Sequence, residues 1–187
     1  MGYRGRSAED KETLRERYFL LGTHYYAAAR FAYFGTLMPM AGNLFHHAVE
    51  MYLKGYLCRW LNESERRKLR HSLTRIWKRF KRYAGNPTLS KYDTMIKELD
   101  RFETLRYPER WPEQGVMLVQ WDLTRSVPTF STSTHSQVSS YYLVVHDIDE
   151  LVAYVFLAVP LNPRFISNEI HPAEAVYLKK DNPSGLW

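Results

Sequence analysis

His46, His47, Glu50 and Lys54 sit in the segment LFHHAVEMYLKGYL, whose apolar residues recur at helical spacing. His46 and Glu50 are one turn apart, and His47, Glu50 and Lys54 follow at i, i+3 and i+7, so the four share one side of a helix. Two imidazoles and a carboxylate at these spacings are the minimum for a metal ion held by one helical turn. Without a second ligand cluster such a set holds an ion poorly. No metal and no cofactor is expected. The stripe is read as lining a groove, such as that of a dimer, or as residues that satisfy one another.

A second feature begins just downstream. Arg59, Arg66, Arg67, Lys68, Arg70, Arg75, Lys78, Arg79, Lys81 and Arg82 fall within one stretch, opposed only by Glu63 and Glu65. The whole chain carries a formal charge of +6, so this block sets the local field and favours phosphate-bearing partners, RNA or a nucleotide among them. The alternative is a solvated helix face, which is what most charge runs are.

These residues must be positioned by helices. Over 187 residues a single domain is expected, and a 45% hydrophobic, 15% aromatic composition excludes a disordered chain. The lone Cys58 rules out an intramolecular disulfide or a cysteine zinc site and fits a reducing compartment. The charged start of the chain lacks an apolar signal region, and the run from Leu151 to Pro160 is about half of what spans a bilayer. A cytoplasmic protein outside the membrane is expected.

Core helices are assigned to 7–108. Ser7, with Asp10 three residues on, resembles a capping box opening a first helix along Leu14, Tyr18, Leu21, Tyr25, Ala28 and Ala32. A second runs from about Ala41 to Leu61, where Gly55 marks a close helix–helix approach. A third starts near Ser72, with Leu73, Ile76, Trp77 and Phe80 as its apolar stripe and Arg75, Lys78, Arg79 and Arg82 pointing elsewhere. A fourth covers about Ser90 to Arg106. Val116–Trp121 and Tyr141–Val145 are β-rich, so a small two-stranded β-ribbon with a Ser/Thr-rich loop, Thr124 to Ser140, is assigned to 113–146. A fifth helix, about Asp147 to Val159, and a tail with a short helix at Pro172 that then frays occupy 147–187. The expected fold is mainly all-α, a four-to-five-helix bundle.

The runs AGNLFHHAVEMYLKGYL, RHSLTRIWKRF and LDRFETLRYP, in this order, resemble the HEPN domain family. The correspondence rests on Ala48, Glu50, Leu53, Lys54 and Leu57, on His71 and Leu73, and on Arg106, Tyr107 and Pro108. It covers roughly residues 10 to 110. The resemblance implies a helical bundle that forms a homodimer, in a prokaryotic defence, toxin–antitoxin or RNA-processing context, often beside a nucleotidyltransferase-type partner protein.

Many members of that family are metal-independent endoribonucleases whose motif is an arginine, four to six residues, then a histidine. The imidazole serves as acid or base and the guanidinium holds the scissile phosphate. The natural late position here is Arg106, but Trp111, Pro112 and Glu113 stand where the histidine belongs. Three pairs meet the spacing elsewhere: Arg17 with His24, Arg66 with His71, and Arg164 with His171. Composition alone produces about two such pairs. Tyr26 after His24 also matches a His-x-Tyr pattern that is a nucleotidylation target in some toxins. Binding of RNA, a nucleotide or a protein through Arg70, Arg75, Lys78, Arg79, Arg82 and Arg106 is therefore ranked ahead of cleavage. A metal-independent endoribonuclease with its Arg/His site at a dimer interface is the alternative.

Overall fold

The structure, a computed structural model, describes residues 8–111, 116–121 and 139–187. The fold is mainly all-α. Helix α1 (Ala8–Phe34) and helix α2 (Met38–Leu57) form a long hairpin, and the short α3 (Glu63–Leu69) and the basic α4 (Leu73–Ala84) follow. Helix α5 (Asp93–Arg101) is flanked by 3-10 turns at Pro87–Tyr92, Phe102–Arg106 and Pro108–Arg110. Strands β1 (Val116–Trp121) and β2 (Ser139–Val144) precede α6 (Val145–Leu157), α7 (Pro163–Asn168) and α8 (Pro172–Lys179). Among the described residues no helix is long and apolar enough to cross a membrane.

The α1–α2 hairpin closes because glycines let the two backbones meet. A Cβ on Gly55 would lie 2.7 Å from the Phe19 ring, and one on Gly22 would lie 2.9 Å from that of Tyr52. Gly55 thus marks the close approach its position suggests. The space is filled by aromatic rings: Phe19 meets Phe156 of α6 edge-on at 4.8 Å, and Tyr52 meets Phe156 at 5.2 Å. Gly42 serves in the same way near the start of α2, where Phe102 packs directly on its α-carbon.

A buried polar knot ties the C-terminal half to α1. Arg30 donates from Nη1 to both oxygens of Asp149 in α6, at 2.7 and 2.6 Å, and both side chains are almost wholly buried. Its Nε donates to the Tyr177 carbonyl at 2.6 Å and its Nη2 to that of Lys180, closing the C-terminal end of α8. Tyr26 donates to Asp149 as well. Burial pushes the Asp149 carboxyl up, opposed by Arg30 and Tyr26.

Several expectations need correcting. The segment between Leu57 and Leu73 holds a helix of its own, α3, opened by a capping box in which Asn62 and Glu65 exchange bonds of 2.9 and 3.0 Å. The expected helix from Ser90 to Arg106 is regular only over α5. The tail does not fray: the Trp187 ring packs 5.0 Å from Phe156 and 6.3 Å from Tyr26. Pro163 occupies the first turn of a further short helix, α7, where its missing N–H costs nothing.

The two strands pair in parallel, with Val116 opposite Ser139 and Trp121 opposite Val144. A parallel pair needs a long crossover; residues 122–138, and with them most of the expected Ser/Thr loop, lie outside the described residues, as does Ser7. Along β2, Tyr141 and Leu143 are buried, and Tyr141 packs against Phe102 and under Arg101.

Replacing Gly42 with alanine places a Cβ 2.0 Å from the Phe102 ring. This overpacking should cost about 2–3 kcal/mol, read as a lowered denaturation midpoint. Gly35→Ala meets nothing closer than 3.4 Å and should change stability by less than about 0.5 kcal/mol.

Candidate functional site: a buried carboxylate beneath a cationic cleft

Glu50 lies on the inner face of α2 with 0% of its side chain exposed. A carboxylate taken out of water needs charge and hydrogen bonds in its place. Lys54, one turn on, donates to Oε1 at 2.6 Å. His71, from the turn before α4, sets Nδ1 3.1 and 3.3 Å from the two oxygens. His46 and His47 each bring a ring nitrogen to 3.7 Å from Oε2. Burial alone would push Glu50 up, but the bonds of His47 and Lys54 and the charges of Lys54 and His71 outweigh it and hold the carboxyl at about 2.

The same α2 side chains grip the α3–α4 turn. Lys54 donates to the Arg70 carbonyl at 2.7 Å, and His46 places Nε2 3.0 Å from the His71 carbonyl and Nδ1 3.2 Å from that of Leu99. Arg70 has φ 52° and ψ −131°, a left-handed conformation that costs a non-glycine residue roughly 1–3 kcal/mol. The turn is thus held in a strained shape by contacts from below. Asp100 of α5 completes the frame, accepting from the Leu73 and Thr74 amides at 2.7 and 3.3 Å and so capping α4.

Above this frame the surface is cationic. An open cleft of about 850 Å³ is lined by Glu63, Ser64, Arg67, Lys68, Arg70 and Arg75. Its one acid, Glu63, is paired to Arg67 at 2.7 Å. A smaller cavity of about 330 Å³ on the other side of α3 reaches Lys54, Tyr18 and Arg66. Arg75, Lys78, Arg79 and Arg82 make no ion pair among the described residues, whereas Lys81 is committed to Asp93 at 2.6 Å. Leu73, Ile76, Trp77 and Phe80 are buried, so the division of this helix into apolar and basic faces is as its spacing indicates.

The stripe at His46, His47, Glu50 and Lys54 is turned inward, its members satisfying one another, and Lys54 alone of the four also reaches the smaller cavity. The donor atoms of His46, His47 and Glu50 come within 4.8 Å of one another. Both His46 nitrogens already face carbonyls and Glu50 already binds an ammonium, so this set does not fit a metal ion.

The members of the three Arg/His pairs have different surroundings. Arg17 is exposed on α1, while His24 bonds Glu174 of α8 at 3.1 Å. Tyr26 is buried and bonded to Asp149, out of reach of a modifying enzyme. His171 caps α8, accepting from the Ala173 amide at 3.2 Å, and Arg164 opens the separate helix α7. Arg66 is buried and donates to the Leu61 carbonyl. Arg106 pairs with Glu103 at 3.7 Å, in the turn after α5. Only His71 joins a buried acid to the basic region: its side chain is 64% exposed, with Nδ1 on Glu50 and no partner for Nε2 among the described residues.

Sequence reasoning passed over Arg67 and Lys68 as lining residues and Asp100 as the cap. The Asn62–Glu65 capping pattern was the available signal for the first two. Comparison with protein-family models, with curated proteins and with solved structures returns no match to this chain.

Glu50→Gln should cost roughly 3 kcal/mol near neutral pH, from the drop of the carboxyl from 4.5 to about 2. A depressed acid contributes fully above its unfolded value and loses its contribution as pH falls through the folded one. The stability gap between wild type and variant should therefore narrow from about pH 4.5 towards 2, followed by denaturant unfolding across that range.

Proposed function

We propose that the chain is a HEPN-like helical module that binds RNA through the cationic cleft between α3 and α4. The observation that carries this reading is the convergence of Arg67, Lys68, Arg70 and Arg75 on one cleft with a single, already paired acid. Guanidinium groups in a concave site attract phosphodiesters by releasing condensed counterions, and their forked donors match phosphate oxygens; Arg67 is shared with Glu63, whereas Arg70 and Arg75 make no ion pair among the described residues. The order of the HEPN-like segments supports the same reading, since Glu50, Lys54 and His71, three residues of that resemblance, meet in space. A homodimer belongs to the proposal, and exposed Leu21, Phe31, Leu37 and Met40 around the α1–α2 hairpin offer apolar area for it.

A second reading, metal-independent cleavage, is favoured by one observation: an exposed imidazole held through Nδ1 by a buried carboxylate. Such a carboxylate fixes the tautomer and leaves Nε2 to take a proton, in RNA that of the 2′-hydroxyl, while neighbouring guanidinium groups hold the phosphate. The freed 2′-oxygen would attack the adjacent phosphorus and expel the 5′-oxygen, which takes up the proton held at Nε2 and leaves a 2′,3′-cyclic phosphate.

Arg67→Ala and Arg75→Ala should each weaken RNA binding and flatten the dependence of log affinity on log salt by about 0.7, measured by fluorescence anisotropy with the fold checked by circular dichroism. Wild-type protein without RNA affinity at low salt would refute the binding reading. In the presence of EDTA, cleavage lost in His71→Ala with binding retained would establish the second reading. An uncut RNA would leave binding alone.

A further inference from the structure

The basic face of α4 ends on aromatic rings. Trp60, in the turn after α2, is 39% exposed although it is among the largest apolar side chains. Its ring stacks on Tyr83 of α4 at 5.3 Å and 21°, and Tyr56 supports it at 4.9 Å and 31°. Tyr56 is anchored in turn on the buried Phe80, 4.7 Å away. The Arg59 guanidinium lies over the Trp60 ring at 5.4 Å. This is an aromatic surface with a cation over it, and Trp60 leaves part of its ring open to solvent.

Its position along α4 is informative. Arg79 and Arg75 stand one and two turns before Tyr83; Tyr83 and Arg79 are partly buried beside the apolar stripe, and Arg75 is on the exposed side. Arg75 also lines the α3–α4 cleft. From Arg75 to Tyr83 the helix rises roughly 12 Å. The cleft, Arg79 and the Tyr83–Trp60 stack therefore make one track, with cations along it and a π-surface at its far end.

We propose that Trp60, backed by Tyr83, is a base-stacking platform and that the ligand of the cleft is single-stranded nucleic acid. This inference rests on the cleft binding RNA and adds the form of the strand. A duplex presents phosphates but keeps its bases stacked inside, out of reach of an exposed indole. An unpaired strand offers both a backbone for Arg75 and Arg79 and a base for Trp60, and stacking on aromatic rings tolerates any base. Arg59, a long and exposed side chain, gives up its place over the ring to the base and turns to a phosphate. The charge of the track selects a polyanion over an apolar protein surface.

The test is anisotropy with a short labelled single-stranded RNA, with the same strand in a duplex, and with copies carrying an abasic site at successive positions. The proteins are wild type, Trp60→Leu, Trp60→Phe and the double variant Arg75→Ala, Arg79→Ala. Trp60→Leu should weaken single-strand binding about tenfold with an unchanged salt slope, while Trp60→Phe stays within about threefold. Duplex binding should not respond to either. One abasic position should weaken binding to wild type and have no effect on Trp60→Leu. The abasic series uses the intact protein, so it stands even if Trp60→Leu folds poorly. If the arginine variant loses affinity but no abasic site matters and Trp60→Leu binds as wild type does, the platform is wrong and the cleft reading survives. If wild type binds the duplex as tightly as the single strand, the single-strand assignment fails. If wild type binds neither, the cleft reading falls and the platform falls with it.

Discussion

A carboxylate without exposed surface has to be answered where it stands, and Glu50 imposes that condition on two parts of the chain. From α2 it takes Lys54, His46 and His47. From the α3–α4 turn it takes His71, and through Lys54 and His46 it also holds the Arg70 and His71 carbonyls. Breaking one member of a buried charged set strands the others, at about 3–5 kcal/mol. The left-handed conformation of Arg70 exists because these contacts over-determine the turn. The result is a basic surface loop with a fixed shape, set over the core by electrostatics rather than by apolar packing.

That fixed turn gives α4 its meaning. Its apolar side seals the bundle through Ile76, Trp77 and Phe80, and Asp100 closes its N-terminus. Because Asp100 already fills the amide donors there, the helix end is no anion site. The positive potential comes from side chains along the flank and from α3. The cluster under the turn supplies position and the surface above it supplies charge. His71 belongs to both, which is why binding and acid–base chemistry are alternatives at a single place.

Local features of this arrangement could be read from the sequence. The apolar stripe of α4, the close approach at Gly55 and the one-turn spacing of Glu50 and Lys54 all follow from helical periodicity. What the pattern concealed depends on contacts distant along the chain. His71 reaches Glu50 from the α3–α4 turn, Asp100 caps α4 from α5, and Trp187 packs on Tyr26 across nearly the whole chain. No local propensity encodes those contacts. The three Arg/His pairs show the complementary limit: spacing says nothing of burial, and Arg66 is inside while His24 and His171 serve helix contacts. Helix α3 was legible and missed, since its capping pattern stands between two longer apolar runs.

The claim on which the account turns is that Glu50 holds His71 by Nδ1. Long-range proton–nitrogen correlation spectra of the imidazole rings, recorded at alkaline pH where the rings are neutral, report it directly. The account predicts His71 protonated at Nδ1 with Nε2 bare, a state that Glu50→Gln should relax. A His71 ring protonated mainly at Nε2, as in a free exposed imidazole, would contradict it.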